Sequence, residues 1–259
     1  MPFNAPPEVN AGPDLRTDST SVHLTGSVRD DRRSGADVKV RWEILEGPGT
    51  VSFQEPASPQ TDATFSAPAD YVLRLVADDG ELWRSANVTV HILPPGVSVA
   101  KAWEFNTPLD KEGWSEENLG TQFRVFKHQT WDTTSYPVKY VAGGYYLVAI
   151  ENSTTARLLS GDNLGVDLAR NKTITIRFQN HTPATHMRLH FTTVESPDWQ
   201  EAQSKAFDVV PNDNGPRVYT IDMSDVPAWA GHLKQLRLDL SDGTNLTGTC
   251  RIDYIWIGS

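Results

Sequence analysis

Two carboxylates, Glu104 and Asp253, stand where this chain could do chemistry. Each sits in a short run of aromatic and branched residues, Trp103-Glu104-Phe105 and Arg251-Ile-Asp-Tyr-Ile-Trp-Ile257. Strand side chains alternate between two faces. Glu104 is thereby set opposite Trp103 and Phe105, while Asp253, Ile255 and Ile257 are set opposite Ile252, Tyr254 and Trp256. A segment that begins and ends on such strands is expected to pair them in one sheet, which brings the two carboxylates together. Shielded carboxylates repel unless a proton or cation lies between them. Calcium suits the pair, because this hard cation gathers carboxylates and backbone carbonyls, and Asn106 could add an oxygen. The plainer alternative leaves both carboxylates solvated on an exposed edge.

A second group is polar. Arg177, Arg188, His190 and Arg237, with Asp239 among them, all lie opposite the apolar residues of their strands. Were those strands neighbours, the row would form a cationic surface. Arginine pairs bidentately with oxyanions, so an acidic or sulfated glycan could dock there. Ordinary arginine–aspartate pairing on a solvated face explains the same residues, and strand order decides between the two.

A third group is aromatic. Trp131, Tyr136, Tyr140 and Trp199 lie in polar, irregular stretches such as Lys127-His-Gln-Thr-Trp-Asp132 and Ser196-Pro-Asp-Trp-Gln200. Rings in such loops offer flat apolar faces for the C–H side of a sugar, or else anchor the loop by packing. Trp42, Trp83, Trp103, Trp114, Trp229 and Trp256 are assigned to packing. His186 and His190 share a strand face but lie roughly 13 Å apart, too far for one metal ion. No Gly-x-Ser-x-Gly, His-Glu-x-x-His or phosphate-binding glycine loop occurs. No pair of facing carboxylates of the kind a glycosidase uses can be picked out either. The chain is expected not to be an enzyme.

The elements that must position these groups are strands throughout. Val38, Val40, Trp42 and Ile44 alternate with Lys39, Arg41, Glu43 and Leu45, and Gly47-Pro48-Gly49 breaks the run. Tyr71 to Ala77 leads into Asp78-Asp-Gly80, a hairpin signal. Later, Ile174, Ile176 and Phe178 oppose Thr175, Arg177 and Gln179. Met187, Leu189 and Phe191 oppose His186, Arg188 and His190, and Leu236, Leu238 and Leu240 oppose Arg237 and Asp239. No helical periodicity intrudes. The fold is expected to be all-β, an immunoglobulin-like β-sandwich (residues 1–95) plus a jelly-roll β-sandwich (residues 96–259). Pro94-Pro95-Gly96 would be a short, stiff linker between them.

Composition bounds the partners. The chain has 259 residues and a formal net charge of -10. Before Gly96 there are 8 Lys and Arg against 14 Asp and Glu, and after it 15 against 19, so both halves are acidic. Such a chain is a poor binder of nucleic acid or anionic membranes. No apolar run approaches the roughly 20 residues of a membrane helix, and no membrane insertion is expected. Met1-Pro-Phe-Asn lacks a signal peptide's basic start and apolar stretch. Cys250 is the only cysteine, so no internal disulfide forms.

Two ordered sets of motifs resemble known families. Pro6-Pro-Glu-Val-Asn-Ala-Gly-Pro-Asp14, Leu24-Thr-Gly-Ser-Val-Arg-Asp30, Val40-Arg-Trp-Glu43 and Tyr71 to Gly80 resemble a polycystic-kidney-disease (PKD) type repeat. Trp42-Glu-Ile-Leu-Glu-Gly47 replaces that family's usual Trp-Asp-Phe-Gly-Asp-Gly centre, so the likeness is to the broader PKD-like class. It implies a spacer or presentation module. In the second half the set is Trp103 to Trp114, Ile174 to Thr182, Phe191-Thr-Thr193, Tyr219 to Ser224, Trp229-Ala-Gly231, Leu236-Arg-Leu-Asp239 and Ile252-Asp-Tyr-Ile255. It resembles the galactose-binding-like jelly-roll modules attached to bacterial polysaccharide-degrading enzymes. That resemblance implies polysaccharide binding without catalysis, a catalytic domain of a parent enzyme as partner, secretion or display at the cell surface, and structural calcium on Glu104 and Asp253. A surface adhesion or structural module that binds a protein is the alternative.

Overall fold

The computed structural model describes residues 3–32, 35, 37–120, 144–241 and 243–259, and the backbone of residues 139–142. Among the described residues there are strands and turns but no helix. The chain divides into two compact units, Met1–Val97 and Ser98–Ser259.

The first unit contains β1 (Glu8–Asn10), β2 (Leu15–Thr17), β3 (Ser21–Thr25), β4 (Ser27–Arg29), β5 (Lys39–Glu46), β6 (Val51–Phe53), β7 (Gln60–Phe65), β8 (Ala69–Asp78) and β9 (Trp83–Ile92). A four-stranded sheet in the order β2-β9-β8-β5 and a three-stranded sheet β3-β7-β6 form an immunoglobulin-like sandwich. Its core takes Trp42 from β5, Leu24 from β3, Phe65 from β7, and Tyr71, Leu73 and Leu75 from β8. The alternation of β5 works as expected up to Trp42, which is buried, donates its indole N–H to the Ser58 carbonyl at 3.1 Å and stacks on Phe53. Around the bulge between Ile44 and Glu46, Ile44 and Leu45 are exposed. Gly47 shows why the strand breaks where it does. Its φ of +142° suits glycine, and a Cβ there would lie 2.3 Å from the Tyr71 ring. Asp79 closes the β8–β9 hairpin by accepting the backbone N–H groups of Leu82 and Glu81, which hold its carboxyl below the ordinary value. One packing assignment is corrected: Trp83 opens β9 and is 64% exposed.

The second unit contains β10 (Val99–Trp103), β11 (Ser115–Glu117), β12 (Lys139–Ala142), β13 (Tyr145–Ser153), β14 (Arg157–Leu159), β15 (Val166–Asp167), β16 (Thr173–His181), β17 (His186–Thr193), β18 (Ser204–Asp208), β19 (Arg217–Asp222), β20 (His232–Asp239) and β21 (Leu246–Gly258). One sheet runs β12-β13-β21-β16-β19, with β10 also on β21. The other runs β11-β14-β20-β17-β18, with β15 also on β20. Their inner faces meet in one core, where Ile174, Ile176 and Phe178 face Met187, Leu189, Phe191, Leu236 and Leu238. Burying each such side chain is worth roughly 1.5–3 kcal/mol. This is the expected jelly-roll β-sandwich.

The first and last strands do pair, antiparallel, with Trp103 opposite Ile255. The expected faces of the last strand are corrected. Opposite the step from Arg177 to Phe178, β21 passes from Tyr254 to Ile252 and leaves Asp253 as an extra residue. Such a bulge reverses the phase of the strand. Cys250 and Ile252 point into the core before it, and Ile255 and Ile257 after it. Tyr254 and Trp256 therefore lie on the outer face, stacked with ring centroids 3.8 Å apart.

Candidate functional site

The outer faces of the two sheets hold the sequence-derived candidates Glu104, Asp253, Arg177, Arg188, His190 and Arg237. On the β21 sheet, Arg177 on β16 pairs with Asp253 at the bulge. Glu104 follows β10 and accepts the indole N–H of Trp256 at 3.0 Å. The chain turns immediately afterwards. Phe105 has φ of +51°, and its N–H donates to the Glu112 carboxylate at 2.6 Å. That turn carries Asn106 away to an exposed position.

This arrangement does not fit the expected calcium on Glu104, Asn106 and Asp253. A guanidinium, already a cation, engages Asp253, and an indole engages Glu104. Among the described residues, no three His, Cys, Asp or Glu side chains converge as a metal site. The bulge sets Asp253 opposite the step from Arg177 to Phe178 on the neighbouring strand β16, where Arg177 pairs with it.

On the β20 sheet, three of the four expected row residues come together. Strands β17 and β20 are neighbours, with Arg188 opposite Asp239 and His190 opposite Arg237. Strand β14 lies on the other side of β20 and sets Arg157 opposite Asp239. Leu158, Leu189 and Leu238 fill the core from these strands, so Arg157, Arg188, His190, Arg237 and Asp239 project outward. Arg177 does not belong with them. Its strand has the same alternation but lies in the other sheet.

The row is paired rather than purely cationic. Arg237 meets Asp239 bidentately, Nε to Oδ1 at 2.7 Å and Nη2 to Oδ2 at 3.0 Å. His190 is nearly buried, with Nε2 3.2 Å from Asp239 Oδ2. Burial alone would raise the Asp239 carboxyl, but hydrogen bonds from His190 and Arg237 outweigh it and hold the group below its ordinary value. Arg188 Nη1 donates to Glu201 Oε1 at 3.1 Å and to Ser204 Oγ at 3.0 Å. Arg157 Nη2 lies 2.7 Å from Glu117 Oε2. Arg157, Arg188, His190, Glu201, Arg237 and Asp239 line an open cleft of about 390 Å³ together with Thr154, Thr155 and Ser241.

Trp199 completes the face. It lies in the β17–β18 connection, is 37% exposed, and its ring centroid is 4.9 Å from the Arg237 guanidinium carbon. A cation–π contact of that kind fixes the ring while leaving part of it in solvent. Trp131 and Tyr136 lie outside the described residues. Tyr140 contributes only its place on β12, opposite Leu147.

Sequence reasoning missed Arg157, Glu117 and Glu201. The first could have been found from Arg157-Leu-Leu159, where Leu158 points inward and its neighbours outward. The carboxylate partners could not, because they meet the arginines only through strand order and loop course.

Residues 11–92 match a family model described as the K319L-like PKD domain. Among solved structures, the PKD domain of the KIAA 1837 protein is 24% identical. It covers 39% of this chain and 99% of its own, with a TM-score of 0.30. A structure concerned with promiscuous carbohydrate-binding modules of the β-sandwich superfamily is 18% identical, covering 98% of this chain and 99% of its own, TM-score 0.34. A CBM4 structure is 17% identical over 60% of this chain and 95% of its own, TM-score 0.36. At TM-scores this low, residue roles are drawn from this chain's own side chains.

Proposed function

We propose that the second unit binds a polysaccharide, without catalysis, on the outer face of the β20 sheet. The observation that carries this is Trp199 held over Arg237 beside the open cleft. A partly exposed indole seated on a guanidinium offers an apolar plane for the C–H face of a sugar ring. The Arg237–Asp239–His190 set beside it offers both hydrogen-bond donors and acceptors for hydroxyl groups. Ligand sites commonly combine aromatic surface with a few placed polar groups in this way. The PKD-like first unit acts as a spacer, and the chain holds an attached carbohydrate-active domain near its substrate, outside the cell or at its surface.

Affinity gel electrophoresis against a panel of polysaccharides tests the reading. The chain should be retarded by at least one polymer, and Trp199→Ala should remove the retardation while the variant keeps its thermal midpoint. Binding that survives this substitution would move the site elsewhere.

A further inference from the structure

We infer that the β20 face selects an uncharged polysaccharide and discriminates against carboxylated or sulfated ones. The inference rests on the reading just given. Taken from the sequence alone, the arginine row suits either an anionic ligand or ordinary arginine–aspartate pairing.

The pairing pattern favours the second. Among the described residues, each of the three guanidinium groups on the face meets a carboxylate: Arg157 with Glu117, Arg188 with Glu201, and Arg237 with Asp239. The three pairs therefore cancel in formal charge, and the chain as a whole is acidic. An anionic sugar could reach a guanidinium only by displacing its partner or by lying beside it. Displacing Asp239 would leave a carboxylate of 21% exposure without the two-point contact that holds it, which is costly. Lying beside it would set like charges against each other.

A neutral sugar meets no such obstacle. Its hydroxyl groups donate and accept, and a side-by-side arginine and carboxylate offers the complement of both. Arg237 spends two of its five N–H donors on Asp239. The Trp199 ring supplies an apolar contact whose strength does not depend on ligand charge.

The pairs differ in how firmly they are held. Arg237 and Asp239 are 12% and 21% exposed. Arg188 is 38% exposed and Glu201, on the loop that carries Trp199, is 80% exposed. An exposed ion pair is weak and easily exchanged. Glu201 is thus the residue that keeps this end of the cleft neutral, and it is open to substitution without harm to the core.

The test uses the full chain in affinity gels containing matched polymers with the same backbone: hydroxyethylcellulose with carboxymethylcellulose, and agarose with a sulfated galactan. The salt is physiological. A neutral polymer should retard the chain at least fivefold more strongly than its charged counterpart. Glu201→Gln should keep the thermal midpoint and raise retardation by the charged polymer severalfold relative to retardation by its neutral counterpart. Stronger binding of the charged member, weakened by salt and lost in Trp199→Ala, would overturn the inference while the polysaccharide reading stood. Absence of retardation by either member of both pairs and by a wider neutral panel would overturn both. A Glu201→Gln variant indistinguishable from the parent on the charged polymer would also count against the inference.

Discussion

The two outer faces of the second unit are built from the same materials. Each has an arginine–aspartate pair, Arg177 with Asp253 on one and Arg237 with Asp239 on the other. The two pairs are similarly shielded, with side-chain exposures of 16% and 15% against 12% and 21%. Each face also carries tryptophan. The difference lies in the aromatic. Trp256 is 6% exposed, stacked on Tyr254 and tied to Glu104, whereas Trp199 is 37% exposed over Arg237. Residue type alone does not assign a role to an ion pair beside an aromatic. Whether the ring remains accessible does.

The largest expected effect separates Trp256→Ala from Trp199→Ala. Removing a buried tryptophan costs about 3–5 kcal/mol, so Trp256→Ala should lower the thermal midpoint by ten degrees or more, measured by circular dichroism. Trp199→Ala should move the midpoint by less than about 2 °C, in keeping with a surface substitution, yet weaken glycan retardation at least tenfold. Equal thermal losses in the two variants would erase the distinction.

Next in size is Arg177→Met. It strands the shielded Asp253 carboxylate and should cost about 3 kcal/mol, read from urea unfolding followed by near-ultraviolet dichroism. Because Arg177 already supplies the positive charge, adding calcium or chelator should shift the parent's midpoint by less than about 1 °C. A calcium-dependent rise in the parent would restore Glu104 and Asp253 as metal ligands.

The pH response should sharpen the contrast further. The folded-state carboxyl of Asp239 is held below its ordinary value of 3.8. Its stabilising contribution is therefore fully present above the unfolded value and is lost as pH falls through the lower folded value. The midpoint should stay level from pH 7 to pH 5 and fall below about pH 4. Asp239→Asn should flatten part of that acid limb, and an unchanged limb would remove Asp239 from the account. The smallest effect concerns Cys250. Burial pushes its thiol up to about 12, so the thiol should resist alkylation at pH 8 in the native state and react once urea unfolds the chain, as mass spectrometry would show.

Much of the fold was legible because alternation is a local property. Ile174 to Phe178, Met187 to Phe191 and Leu236 to Leu240 each declare their inward side without reference to any partner. The site was only partly legible, because its assembly is not local. Arg177 and Arg188 carry the same signal in sequence, and only strand order separates them onto different sheets. The Asp253 bulge is hidden for a different reason. Ile-Asp-Tyr-Ile-Trp-Ile reads as a regular strand in either phase, since both of its faces can bear large apolar residues. Trp83 misled through type alone: a tryptophan beside a hairpin turn need not reach the core. The Trp199 loop was found from its polar surroundings, but its seat on Arg237 needed the structure.

The position of β21 has a consequence for the order of events during synthesis. This last strand is a hub of its sheet: it pairs with β10, β13 and β16. Until a ribosome has released residue 258, those three strands have no common neighbour, and their exposed edges must wait. The first unit, complete by Val97, faces no such delay. Folding of the two units is therefore separated in time by the translation of some 160 residues, at roughly 5–20 residues per second. Over that interval of many seconds, the growing second unit is the part of the chain with open strand edges to protect.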